Sequence, residues 1–185
     1  MKSLLTTIAL VALLAAPAAA QTAQPRGGTA GSAMPPANAK LSAQDRDFVK
    51  RAAIGGMAEV EEAKLAAQHA QSDAVKNFAQ QMISDHTKIN ADLQAIAGRI
   101  GVTPPATLDK EHAAMLQRLG KLSGSQFDKS YMQDQVSEHR KTISLFEKED
   151  RSGQNPELKT FATNTLPTLR RHLQMAQDVS AQIGK

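Results

Sequence analysis

From residue 41 onward the chain is dominated by Ala, Leu, Gln, Glu, Lys and Met, with apolar side chains recurring three and four residues apart. Strand faces alternate every second residue, so this spacing rules out a sheet and favours amphipathic helices around a shared core. Aromatics make up only 3% of the sequence and runs of β-branched residues are missing. The fold expected is all-α.

Punctuation divides this stretch into helices. Ser42 with Asp45 forms a capping box that opens a first helix, running to about Ala70. Ser72 or Asp73 caps a second, which ends between Gly98 and Gly101. After Val102-Thr103-Pro104-Pro105, Thr107 caps a shorter helix through Leu119, stopped by Gly120 and Gly124. Ser125 with Asp128 reads as a second capping box, opening a helix to about Arg151, and Pro156 starts a last one to about Gln182. Two short hairpins joined by a short crossover helix give a ferritin-like four-helix bundle; an up-down bundle with a decorated loop is the alternative.

The first forty residues are different. Residues 1–20 hold one lysine, Lys2, an apolar run from Leu4 to Leu14 and the small residues Pro17-Ala18-Ala19-Ala20, the pattern of a secretory signal peptide cleaved after Ala20. That run is shorter than the ~18 residues a membrane span needs. Residues 21–40, rich in Gly, Ala, Pro, Thr and Gln, read as a disordered linker, and residues 41–185 as one domain. The expected location is periplasmic or secreted, with no transmembrane segment after cleavage. Cysteine is absent, which excludes disulfides, thiolate metal sites and a lipid-bearing cysteine. The net charge of +4 falls to +3 without Lys2, and the basic residues are spread along the chain, which argues against a nucleic-acid partner.

Polar residues break the buried stripes at a few places. The second helix offers Phe78, Met82, His86, Ile89, Leu93, Ile96 and Ile100; the helix after Ser125 offers Met132, Val136, His139, Ile143 and Phe146. The last offers Leu158, Thr165, Leu169, His172, Ala176, Val179 and Ile183, so each of the three stripes holds one histidine. The first helix places Glu59 and Glu62 among Phe48, Ala52, Gly55, Ala66 and His69. Counting from the hairpin turns at ~1.5 Å per residue puts Glu59 level with His86, and His139 within ~6 Å of the level of His172.

One carboxylate and three imidazoles in a helical core suit a divalent transition metal such as zinc, manganese, iron or copper, so Glu59, His86, His139 and His172 are the candidate ligands. Glu62, Asp85 and Glu138 are secondary candidates, as further ligands or as acceptors that orient the rings. The competing reading is a buried hydrogen-bonded cluster that fixes helix register and binds nothing. Met57, Met82, Met132 and Met175 sit on or beside the buried faces and read as core filling rather than copper(I) ligands. Gly55-Gly56 permits close packing or makes room for a ligand, Pro167 is expected to kink the last helix, and His69 and His112 are expected at the surface.

The runs Gly56-Met57-Ala58-Glu59-Val60-Glu61, Phe78-Ala79-Gln80-Gln81-Met82-Ile83-Ser84-Asp85-His86, Ser123-Gly124-Ser125-Gln126-Phe127-Asp128, His139 to Glu147, and Leu166-Pro167-Thr168-Leu169-Arg170-Arg171-His172 resemble the bacterial domain-of-unknown-function 4142 family. The resemblance implies a ferritin-like bundle and export, and its acidic positions correspond to Glu59 and Glu61. The family carries the label of an outer-membrane protein; without barrel-type strands or a lipid anchor here, a periplasmic location fits better. The di-iron signature of ferritins, glutamate followed three residues later by histidine, is missing, so ferroxidase activity is not implied.

Three functions follow as expectations. The first is a metal-binding bundle for storage, buffering or stress protection; the second is a metal-free structural or interaction protein of the cell envelope. The third, a metal-dependent oxidoreductase, is the weakest for want of carboxylates, and no enzyme activity is assigned.

Overall fold

The computed structural model describes residues 41–184, so the expected signal peptide and linker lie outside the described residues. Five helices fill this stretch: α1 (Ala43–His69), α2 (Asp73–Arg99), α3 (Lys110–Leu119), α4 (Gly124–Ser152) and α5 (Pro156–Ile183). No strand occurs among the described residues.

The capping box of α1 forms as expected: Ser42 Oγ accepts from the Asp45 amide at 3.0 Å and Asp45 Oδ2 accepts from the Ser42 amide at 3.2 Å. Pro156 opens α5 behind Asn155, whose side chain accepts from the amides of Glu157 and Leu158. Two other starts differ from expectation. Asp109 rather than Thr107 caps α3, accepting from the His112 amide at 3.0 Å. Asp128 makes no capping box with Ser125; its carboxylate turns to the α1–α2 turn, accepting from the Gln71 amide at 3.1 Å and the Ser72 amide at 2.9 Å. A carboxylate reaches either partner, and here the two amides of the α1–α2 turn take both of its oxygens.

These bonds also fix the chain's direction. Asp128, at the start of α4, meets the α1–α2 turn, while Asp45, at the start of α1, accepts from the Gln154 amide in the α4–α5 turn at 2.9 Å. Therefore α1 and α5 run one way and α2 and α4 the other, and the segment carrying α3 must travel the length of the bundle. α1 packs on α2 and α4, and α5 on the same two, so every packed neighbour among the four long helices is antiparallel. This is the expected crossover connectivity.

The core has two apolar parts. Toward the α4–α5 turn, Phe48, Leu93, Phe146, Leu158 and Phe161 pack together, with Phe48 and Phe146 edge to face at 5.0 Å. Toward the α1–α2 turn, Phe78, Met82, Phe127, Tyr131 and Met132 form the other. Met82 and Met132 are thus core filling, as expected. His69 is only partly exposed: its Nδ1–H donates to the Leu122 carbonyl at 2.8 Å and its ring packs 5.7 Å from Phe127. His112 is also partly covered, its Nδ1 2.7 Å from Asp109 Oδ1.

The adjacent glycines have different surroundings. A Cβ on Gly56 would lie 1.9 Å from Asn90 Oδ1, so this glycine admits a side chain of α2, whereas one on Gly55 would meet nothing within 4 Å. Gly55 costs α1 about 1 kcal/mol in helix propensity with no packing neighbour to account for it.

Beside Asp45, Glu149 is buried, and burial followed by the neighbouring carboxylate pushes its carboxyl from 4.5 up to about 7. The folded state then holds this proton more tightly than the unfolded chain. Its stabilisation is complete below pH 4.5 and is lost as pH rises through about 7. Glu149→Gln keeps this side chain uncharged at every pH. Its unfolding free energy should match wild type at low pH and exceed it by about 1–3 kcal/mol above neutrality. Chemical denaturation across this range checks the sign, and a difference that does not grow with pH would rule out the raised carboxyl.

Candidate metal centre

Between the two apolar parts lies a polar layer. α2 contributes His86, α4 His139 and α5 His172, each no more than 3% exposed. The ring centroids form a nearly equilateral triangle, 5.6 Å from His86 to His139, 5.3 Å from His86 to His172 and 5.4 Å from His139 to His172. His139 and His172 meet although His139 lies 13 residues from the end of α4 and His172 lies 16 from the start of α5. Side chains lean toward the N-terminus of their own helix, so on these antiparallel helices the two rings lean toward each other and close the gap.

Hydrogen bonds set which nitrogens remain free. His139 Nδ1–H donates to the Gln135 carbonyl at 2.9 Å, and His172 Nε2–H donates to Asp85 Oδ2 at 2.7 Å. Left without a partner are His139 Nε2, His172 Nδ1 and His86 Nε2. One ligating nitrogen from each ring lies within 4.8 Å of those of the other two. Burial holds His139 and His172 down at about 4, and holds His86, with the two neighbouring rings adding to the effect, well below its ordinary value. All three are therefore neutral at pH 7, the form that binds metals.

Asp85 lies behind this group. Besides His172, its Oδ2 accepts from Gln81 Nε2 at 2.8 Å and from Arg171 Nη2 at 3.0 Å. Burial acts to raise its carboxyl, but the bonds from His172 and Gln81 prevail and hold it below the usual carboxylate range. A carboxylate that accepts from one ring nitrogen fixes the ring and strengthens the other nitrogen as a donor to a metal.

The glutamates take other places. Glu59 Oε1 approaches His139 Nδ1 at 3.6 Å, the nitrogen already bonded to Gln135, so its oxygens are outside the three-nitrogen group. Burial pushes Glu59 up to about 8 and Glu62 up to about 9, so the approach to His139 joins two uncharged groups. Glu62 Oε2 accepts from Gln135 Nε2 at 3.2 Å. Glu138 pairs outward with Lys141 at 2.7 Å. Gln135 and the wholly buried Tyr131, whose hydroxyl has no partner, belong to this layer and were not expected there. Both lie on the i−4 and i−8 row of His139, a signal available in the sequence but hidden by side chains that suit a surface equally well.

Against Glu59 and His86 lies a crevice with about 20 Å³ of free space, bordered by Gly55 and Gly56 on α1 and by Thr142 and Leu145 on α4. That is room for one water-sized occupant. The centre is thus a three-imidazole face inside an antiparallel bundle, with two glutamates alongside and one small space.

The chain belongs to the family described as a domain of unknown function, DUF4142, whose profile matches residues 30–179. Two crystal structures share the fold. A DUF305 fragment from Deinococcus radiodurans superposes with a TM-score of 0.67 at 18% identity, over 78% of this chain and 99% of that one. A DUF305 protein from Streptomyces coelicolor, described there as a putative secreted protein, gives 0.65 at 15% identity, over 76% and 92%. No curated protein matches the chain. None of the helices among the described residues is long and apolar enough to cross a membrane.

Proposed function

We propose that this domain binds a single divalent transition-metal ion through His86, His139 and His172, and that it does so outside the cytoplasm after export. The observation that carries this reading is the meeting of three buried imidazoles from three different helices, each with a ring nitrogen that lacks a partner and each offering a ligand nitrogen within 4.8 Å of those of the other two. A buried acceptor without a donor costs ~1–3 kcal/mol, and three such nitrogens gathered in one layer would be a poor way merely to fill a core.

An all-imidazole donor set with no thiolate favours zinc, copper or iron over manganese, which prefers oxygen ligands. Glu59 and Glu62, protonated in the metal-free centre, would balance an ion only by giving up their protons as it binds, and Asp85 orients His172. One site per chain suits sequestration or buffering of single ions better than bulk storage. A crevice the size of one water gives an organic substrate no room beside the ion, which weighs against an oxidoreductase.

The polar layer also separates two apolar clusters, and this favours a second reading in which it only sets helix register. Elemental analysis of protein purified without chelators distinguishes the two. The expected result is close to one zinc, copper or iron per chain, lost in the His86→Ala, His139→Ala double variant. A chain that carries no metal and takes up none when it is supplied would sink the metal reading.

A further inference from the structure

The centre is buried on all sides by helices, so an ion needs a way in. Between α1, α4 and the start of α3 lies a surface cleft of about 310 Å³, and Arg51, Gly55, Thr142 and Leu145 line both this cleft and the crevice at Glu59 and His86. The two spaces therefore meet at Gly55. Its missing side chain leaves open room, in contrast to Gly56, whose room Asn90 fills. We infer that Gly55 is the threshold of a passage through which a divalent cation moves from the surface cleft to the three histidines, an inference that rests on the metal reading above.

The mouth carries both signs of charge: Asp47 pairs with Arg51, while Glu111 and Glu138 pair with Lys141. Such a mouth offers a cation little steering, so the width at Gly55 and Thr142 governs the rate. A side chain placed there should slow entry and exit alike and leave the bound state alone.

Cobalt(II) is a suitable probe, because its visible absorption reports ligation by nitrogen as it happens. Stopped-flow mixing would be run on wild type, Gly55→Ala, Gly55→Leu and Gly98→Leu. Gly98 is exposed and equally free of neighbours, but lies away from the passage, so it controls for the gain in helix propensity. The expected result is uptake and release both slowed by roughly tenfold or more in Gly55→Leu, less in Gly55→Ala and not in Gly98→Leu, with an unchanged dissociation constant. If Gly55→Leu does not fold, Thr142→Leu narrows the same point from α4.

Uptake at the wild-type rate in a folded, plugged variant overturns the passage while the metal site stands. Slower uptake with release unchanged and affinity falling in step also overturns it, because the new side chain then disturbs the bound centre. If wild type itself binds no cobalt, zinc or copper, the metal reading fails and the passage with it.

Discussion

Adding zinc or copper to metal-free protein should raise its melting temperature by roughly 10 °C. At a free metal concentration one hundred times the dissociation constant, binding to the folded state alone contributes ~2.7 kcal/mol. For a domain of this size each kcal/mol moves the midpoint by ~3–4 °C. The His86→Ala, His139→Ala double variant should show no shift, since a single imidazole cannot hold the ion in competition with water. Asp85→Ala tests the arrangement further. Asp85 touches only His172 of the three rings, so its loss should weaken affinity by ~10–100-fold without removing the site. Scanning calorimetry with and without metal reads all three, and an unchanged midpoint in wild type would leave the polar layer as a register device alone.

The second large effect lies at the α1–α2 turn and owes nothing to metal. Asp128→Ala should destabilise the domain by ~3 kcal/mol, because one 4%-exposed carboxylate satisfies the amides of both Gln71 and Ser72, and hydrogen bonds to a charged group contribute ~1.5–3 kcal/mol each. Asp128→Asn keeps one acceptor and should lose about half as much. Denaturant unfolding of the two variants measures both. A loss below ~1 kcal/mol for Asp128→Ala would mean that water satisfies these amides as well as the carboxylate does.

Asp128 also shows why local sequence motifs reach only so far. Ser125 and Asp128 have the spacing of a capping box, as do Ser42 and Asp45, yet only the second pair forms one. The competing partners of Asp128 lie 56 and 57 residues away, beyond anything spacing can report. The long helices were legible because caps, glycines and prolines fall at nearly every boundary. The histidines were legible because an imidazole interrupting an apolar stripe stands out.

Other buried polar residues were harder to read. Gln135, Tyr131 and Glu149 carry enough polar character to pass for surface residues, and only the packing of α4 against its neighbours buries them. For Glu59, counting residues gave the level but not the side of the ring it would meet. Depth along a helix is a sum of fixed rises, whereas the angle around it depends on how four helices settle together.

The direction of the chain has a consequence for how the domain can be joined to other things. Leu41 packs into the apolar cluster at one pole and Ile183 into that at the other, about 40 Å away along helices of 27 and 28 residues. In an up-down bundle of four helices the two termini would be neighbours. Here a circular permutant needs a linker of at least ~12 residues to reconnect them. Cargoes fused to the two termini would be held a bundle's length apart, with the histidine layer near the midpoint between them.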